Sequence, residues 1–337
     1  MNKVKINIKT LSELTGFSQA TVSNALHNKR GVNRETAEKI LKAAREIGYF
    51  SDARISSIRL VVYQSTGGVV GDTPFFASLI AGVEAEAREF GYDTRVYHLS
   101  KSAPDYDQRM EKLCSDLSCG LLVLATELEL EEAARFQRAM APVVLIDNWY
   151  KALPLNAVLI DNADAADLAV SYLCRKGHRL IGHLRGNCDL TNFTERESGY
   201  FNSIRKNALE YHPEWTYQLT PSMEGAYRDM LSILQREPEL PTAFFAANDM
   251  LALGAIRALQ QSGYSVPQDI SVVGFDDLPF CTISNPPLTT IKVYNRDIGR
   301  AAVRRLMEMM KYENFYTTRV LMRSSFVERE SVRDLEC

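Results

Sequence analysis

From Ile58 onward the chain alternates short apolar runs with amphipathic stretches, and no other feature narrows its fold as much. IRLVVY precedes ASLIAGVEAEAREFG, TRVYHL precedes DQRMEKLCSDL, LLVLA precedes EEAARFQRAM, and PVVLI closes the set. A second set follows: NAVLI, ADAADLAVSYLCRKG, LIGHL, ERESGYFNSIRKNAL, GAYRDMLSILQ, TAFFAA, DMLALGAIRALQQSG and ISVVGF. Strands joined through helices lie parallel, so this alternation predicts parallel sheets covered by helices on both faces. Two sets predict two lobes, with a ligand in the crevice at the carboxyl ends of the strands.

The first fifty residues follow a different pattern. In NIKTLSELT the apolar Ile8, Leu11 and Leu14 have helical spacing, Asn7 can cap the start, and Gly16 can end the helix in a left-handed turn. Ser18 can cap a second helix, SQATVSNALH, whose Val22, Ala25 and Leu26 face inward. Asn33 can cap a third, whose Ala37, Ile40, Leu41, Ala44 and Ile47 form an apolar stripe. The short connection between the first two predicts a helix-turn-helix pair. The outward positions of the second helix are Gln19, Ala20, Thr21, Ser23, Asn24 and His27, all small or polar. Gln and Asn can pair with adenine edges in the major groove, and small residues allow close approach. Ser18, Thr21 and the helix N-terminus can hold phosphates.

Charge agrees with a DNA-binding head. Residues 1–50 hold nine Lys/Arg and four Asp/Glu, whereas the whole chain of 337 residues has a net charge of −3. A basic head on an acidic body suggests that only the head meets a polyanion, the alternative being a chance solvated face. No apolar run reaches the length of a membrane span and the N-terminus lacks a signal-peptide core, so a cytoplasmic protein is expected. The six cysteines are scattered without a CxxC pair and read as reduced thiols. No HExxH, GxSxG, Walker or GxGxxG sequence occurs, so no metal, cofactor or enzymatic activity is expected.

GFSQATVSNALHNKRGVNRETAEKILKAAREIGY closely resembles the DNA-binding head of the lactose-repressor (LacI/GalR) family of bacterial transcription regulators. TPFFASLIAGVEAEAREFGY, PVVLID, GHRLIGHLRG, AFFAANDMLALGAIRALQQSGYSVPQDISVVGFDD and NPPLTTIKVYNRDIGRAAVRRL resemble its body, which has the type I periplasmic-binding-protein fold. The resemblance implies a small all-α helix-turn-helix head (1–50), a short linker (51–57) and a two-lobed α/β body (58–337). Because lobes of that fold exchange strands, the first is expected at about 58–160 plus 291–320 and the second at about 161–290 plus 321–337. It also implies a homodimer on double-stranded DNA with a pseudo-palindromic operator. The effector would be a small molecule, most simply a sugar. A nucleobase effector, a protein co-regulator, or a sugar-binding protein without regulatory role are the alternatives.

The DNA-facing set is completed by Asn7, Asn33 and Tyr49. The matched ligand positions are Phe75, Asp147, Trp149, Arg196, Asn248 and Asp276, a mixture of carboxylates, an amide, a guanidinium fork and aromatic faces that suits a polyol. Each has a plainer reading: Asn248 and Asp249 could cap a helix (the reading preferred for Asp249), Asp276 and Asp277 could form a turn, Phe75 and Phe76 could be core, and Arg196 could be a surface ion-pair partner. His178 follows Gly177 at a helix end. Asn24 and His27 depart from the family's usual residues, so the operator sequence does not carry over. The joint departs too. The family continues after GY through a P-N pair and an AR-x-L helix whose leucine wedges into the minor groove, whereas FSDARISS has neither P-N nor Leu. Either Ser51 or Asp52 caps a single turn with Ile55 as wedge, or the linker is extended with no hinge helix, the reading preferred here.

Overall fold

The computed structural model describes residues 7–26, 31–47, 55–65, 74–311 and 316–335. The head holds α1 (Ile8–Thr15), α2 (Gln19–Leu26) and α3 (Arg34–Glu46). Each begins on a polar side chain that accepts an otherwise orphaned backbone N–H. Asn7 takes Thr10 N–H at 3.0 Å, Ser18 takes Thr21 N–H at 3.1 Å and Asn33 takes Thr36 N–H at 2.8 Å. Gly16, at φ 72°, ends α1 and donates to Ser12 O. Leu11, Val22, Ala25, Leu26, Ile40 and Ala44 form the core. Leu14 is 58% exposed despite its spacing, because this small core is already filled by those six side chains.

In the body the first sheet contains β1 (Ser57–Gln64), β2 (Asp93–Ser100), β3 (Cys119–Leu124), β4 (Val143–Ile146), β5 (Asn156–Ile160) and β11 (Arg319–Met322). Its order is β11-β5-β4-β3-β1-β2, with every neighbouring pair parallel. The second sheet contains β6 (Ile181–Gly186), β7 (Thr216–Leu219), β8 (Ala243–Ala246), β9 (Ser271–Asp276), β10 (Thr289–Lys292) and β12 (Ser325–Val327), in the order β12-β10-β9-β8-β6-β7. It departs from an all-parallel sheet only at its edge, where β12 runs antiparallel to β10. The central strands β3, β4 and β8 are buried at every position, which is why their sequences are unbroken apolar runs.

Helices α4 (Phe75–Glu89), α5 (Tyr106–Ser115), α6 (Leu130–Gln137) and α11 (Asn295–Lys311) cover the first sheet. Helices α7 (Asn162–Arg175), α8 (Thr191–Lys206), α9 (Met223–Leu234) and α10 (Asp249–Gln261) cover the second. The chain passes between lobes at 161, at 293–294 and at 323–324. Two boundaries therefore differ from those expected: β10 stays in the second sheet to Lys292, and β11 stays in the first to Met322. NAVLI, which opens the second apolar set, is β5 of the first sheet, because it pairs with both β4 and β11. Ser56 N–H bonds Ser118 O at 2.9 Å, so the chain is tied to the first sheet immediately after Ile55. Residues 51–54 of the joint lie outside the described residues, as do His27 and Tyr49.

Candidate functional site

Between the lobes, strand ends and helix starts converge on one cleft. Phe75 and Phe76 stand at the start of α4, Thr126 follows β3 and Asp147 follows β4, all from the first lobe. Opposite them are Leu190, Asn192, Phe193 and Arg196 around the start of α8, Asn248 after β8 and Asp276 at the end of β9. The cavity among these ten residues has a volume of about 40 Å³. That is room for roughly three water molecules, so a sugar or a base enters only when the lobes part or side chains rotate.

Arg196 is buried and firmly placed. Its Nε donates to Asn162 Oδ1 at 2.8 Å, one terminal nitrogen donates to Ala247 O at 2.6 Å, and the guanidinium lies 3.7 Å from the centre of the Phe275 ring. Its other terminal nitrogen is 3.5 Å from Asp276 Oδ1. That is an ion-pair distance but too long for a good hydrogen bond, and Asp276 Oδ1 is buried with no hydrogen-bond partner. Burial pushes the Asp276 carboxyl up to about 8; Arg196 pulls it down, and the nearby Asp249 and Asp147 push it further up. Asp147 is likewise raised to about 6 by burial, against the pull of a 2.6 Å bond from Thr126 Oγ1. Both aspartates turn on left-handed backbone, at φ 72° for Asp147 and φ 118° for Asp276. That costly conformation lets the chain leave its strand while the carboxylate faces the cleft.

Asn248 is the helix cap: its Oδ1 accepts Leu251 N–H at 2.9 Å, leaving its amide NH₂ for the cleft. The cap is therefore Asn248 and not Asp249, for which that reading is preferred from sequence, while Asn248 also keeps its place in the cleft. Asp249 does not cap but accepts from Thr290 Oγ1 at 2.6 Å and Leu278 N–H at 2.8 Å in the second-lobe core. Phe75 and Phe76, 5.1 Å apart at 76°, both belong to the core and to the cleft wall.

On the head, Gln19, Ala20 and Ser18 are exposed along the start of α2, with Thr21, Ser23 and Asn24 half-buried behind them. Asn7 and Asn33 are exposed at the starts of α1 and α3.

Residues 7–52 match the bacterial regulatory proteins of the lacI family, and residues 170–332 match the periplasmic binding protein-like domain. The chain is 30% identical to the HTH-type transcriptional repressor CytR of Escherichia coli (strain K12) over 320 residues, 94% of each chain. It belongs to the LacI family. It is also 29% identical over 331 residues to the ribose operon repressor of Haemophilus influenzae, covering 98% of this chain and 99% of that one. Its fold is similar to that of the lac repressor dimer bound to operator and the anti-inducer ONPF, with a TM-score of 0.72 and 25% identity over 97% of this chain and 99% of the other. The chain is a DNA-binding transcriptional repressor of the LacI family and not an enzyme. Among the described residues no helix is long and apolar enough to cross a membrane.

Of the six ligand positions read from the repressor's sequence, five line the cavity and Trp149 does not. Its ring instead carries the Arg319 guanidinium at 3.9 Å, and its Nε1 donates to Glu195 Oε1 at 3.4 Å. The chain bends sharply at Asp147, and Trp149 packs beside the first-lobe core. Asn192 and Phe193 are cavity residues that the sequence reading missed, although a signal exists: they stand four and three residues before Arg196, on the same helix face. Thr126 also had a signal, since it follows a strand as Asp147 does. His178 is structural, with Nδ1 2.9 Å from Thr242 Oγ1 and Nε2 3.1 Å from Arg333 O.

Proposed function

We propose that the effector is a sugar bound between the lobes, and that its binding changes the lobe arrangement and so the affinity of the heads for their operator. The observation that carries this reading is the buried Asp276 Oδ1, without a hydrogen-bond partner and 3.5 Å from Arg196, in a cavity that Phe75, Phe76 and Phe193 also line. A sugar supplies hydroxyl donors to Asp276 and Asp147, a hydroxyl oxygen to Arg196 and the Asn248 amide, and a C–H face to an aromatic ring. The protein acts as a homodimer in the cytoplasm on a pseudo-palindromic operator. Ser18 holds phosphate, and Gln19, Ala20, Thr21, Ser23 and Asn24 face the major groove.

The same cleft favours a second ligand class, nucleobases or nucleosides, through one feature. Leu190 joins the three phenylalanines, giving apolar surface on both lobes between which a flat base can lie. Calorimetric titration with pentoses, hexoses, nucleobases and nucleosides separates the two. Saturable heat from a sugar that is lost in Arg196→Leu supports the proposal. Binding of a base or nucleoside but of no free sugar transfers the site to the second reading, and binding of neither refutes the assignment of this cleft to either class. The DNA assay is a titration against the fragment upstream of the protein's own gene at two salt concentrations, beside a scrambled duplex. Preference for the native fragment, with affinity falling steeply as salt rises, is the expected result.

A further inference from the structure

Trp149 stands outside the cavity yet reaches across the lobes. It follows β4 in the first lobe and is held there through its ring face by Arg319 of β11 at 3.9 Å. Its indole N–H points to Glu195 of α8, in the second lobe, at 3.4 Å. Glu195 receives a second donor: Asn162 Nδ2 lies 3.2 Å from its other oxygen. Asn162 in turn accepts from Arg196 Nε at 2.8 Å. A continuous path of polar contacts therefore runs from the cleft arginine to a first-lobe edge strand, and its inter-lobe link is the Trp149–Glu195 contact.

Only a carboxylate can serve both donors, since Gln has one acceptor oxygen and an NH₂ that would face one of the two N–H groups. Glu195 also directly precedes Arg196 in α8, so a shift of that helix turn moves both. The cavity between the lobes is too small for a sugar while this contact is made.

We infer that Trp149 and Glu195 form an inter-lobe latch: a positioning pair that holds the lobes together and links their separation to what Arg196 contacts. It rests on the reading of the cleft as the effector site, but its test needs no effector. The chain has two tryptophans, and Trp215 is 4% exposed with its own bond to Glu239 O, so it is a steady background. Two variants open the contact with little change of shape. Trp149→Phe keeps a ring for Arg319 and loses the donor, and Glu195→Gln loses one acceptor.

Acrylamide quenching of the Trp149 emission is measured as the difference from Trp149→Phe, with and without Glu195→Gln, and small-angle X-ray scattering is recorded for the intact protein and both variants. The expected result is at least a twofold rise in the quenching constant of Trp149 in Glu195→Gln. Both variants should show a larger radius of gyration, and the double variant should open no further than either single one. Melting temperatures close to that of the parent exclude a folding defect. Unchanged quenching overturns the proposal. So does increased quenching with unchanged scattering in both variants, because the contact then exists without holding the lobes. Failure of every ligand in the calorimetric panel would refute the cleft assignment and leave these readouts intact.

Discussion

The most informative perturbation of this repressor is Asp276→Asn. The carboxyl is buried, one oxygen has no hydrogen-bond partner, and its pKa rises from 3.8 to about 8. A carboxyl whose folded pKa lies above its unfolded value favours folding most when protonated. The folded protein therefore loses stability as pH climbs above about 4, and the loss levels off near pH 8. At about 1.4 kcal/mol per pH unit the cost approaches about 4 kcal/mol at pH 7. Asparagine has the same shape, does not ionise, and still offers an oxygen to Arg196, which keeps its bonds to Asn162 and Ala247. Allowing about 1–2 kcal/mol for the added NH₂ buried without a partner, the variant should be more stable than the parent by about 2–3 kcal/mol at pH 7. That corresponds to a rise in melting temperature of about 4–12 °C for a unit of this size. Scanning calorimetry between pH 4 and 8 reads the effect: the two proteins should nearly coincide at pH 4 and diverge as pH rises. Effector affinity should fall about fivefold or more in the same variant, since one of the two carboxyl oxygens that a ligand hydroxyl can meet becomes an NH₂. A variant less stable than the parent at pH 7, or a difference that ignores pH, would show that Arg196 keeps the carboxylate ionised at no cost.

Three further outcomes are expected. His183 is fully buried between Tyr200 and Phe245, its Nε2 has no hydrogen-bond partner, and burial lowers its pKa from 6.5 to about 4. Its neutral form must be kept, so stability is lost as pH falls from 6.5 towards 4. The loss is about 2.5 kcal/mol at pH 4.5 and should be absent from the pH dependence of His183→Phe in urea titrations. Gly199 lies where a Cβ would sit 2.3 Å from Ala163 O, so Gly199→Ala should push α8 from α7, cost about 1–3 kcal/mol in chemical denaturation and weaken effector binding through Arg196. Gln19→Ala, on an exposed face remote from the core, should leave melting unchanged while reducing preference for the native operator over a scrambled duplex by about 5- to 150-fold in filter binding, an effect of about 1–3 kcal/mol.

The sequence by itself determined the class of each part. Short unbroken apolar runs between helical stretches fit strands buried on both faces, being too short for buried helices, so the parallel sheets were legible from residues such as LLVLA and PVVLI. The three head helices announced themselves through Asn7, Ser18 and Asn33, because a cap acts over three residues and is a local interaction. Arg196, Asn248 and Asp276 were singled out by the resemblance to the family, and all three line the cleft between the lobes. Tertiary structure alone decided the rest. The crossings near the C-terminus were set by pairing: β10 stays with β9 to Lys292 and β11 with β5 to Met322, past the boundaries expected at 290 and 320. Leu14 has the spacing of a core residue, and only the filled bundle left it outside. Trp149 has the position of a ligand contact, yet the turn at Asp147 carried it to Glu195, 46 residues away in the chain. Periodicity reports which side of a helix or strand is buried. Which partner buries it is set by contacts far apart along the chain, and those become readable only when the lobes meet.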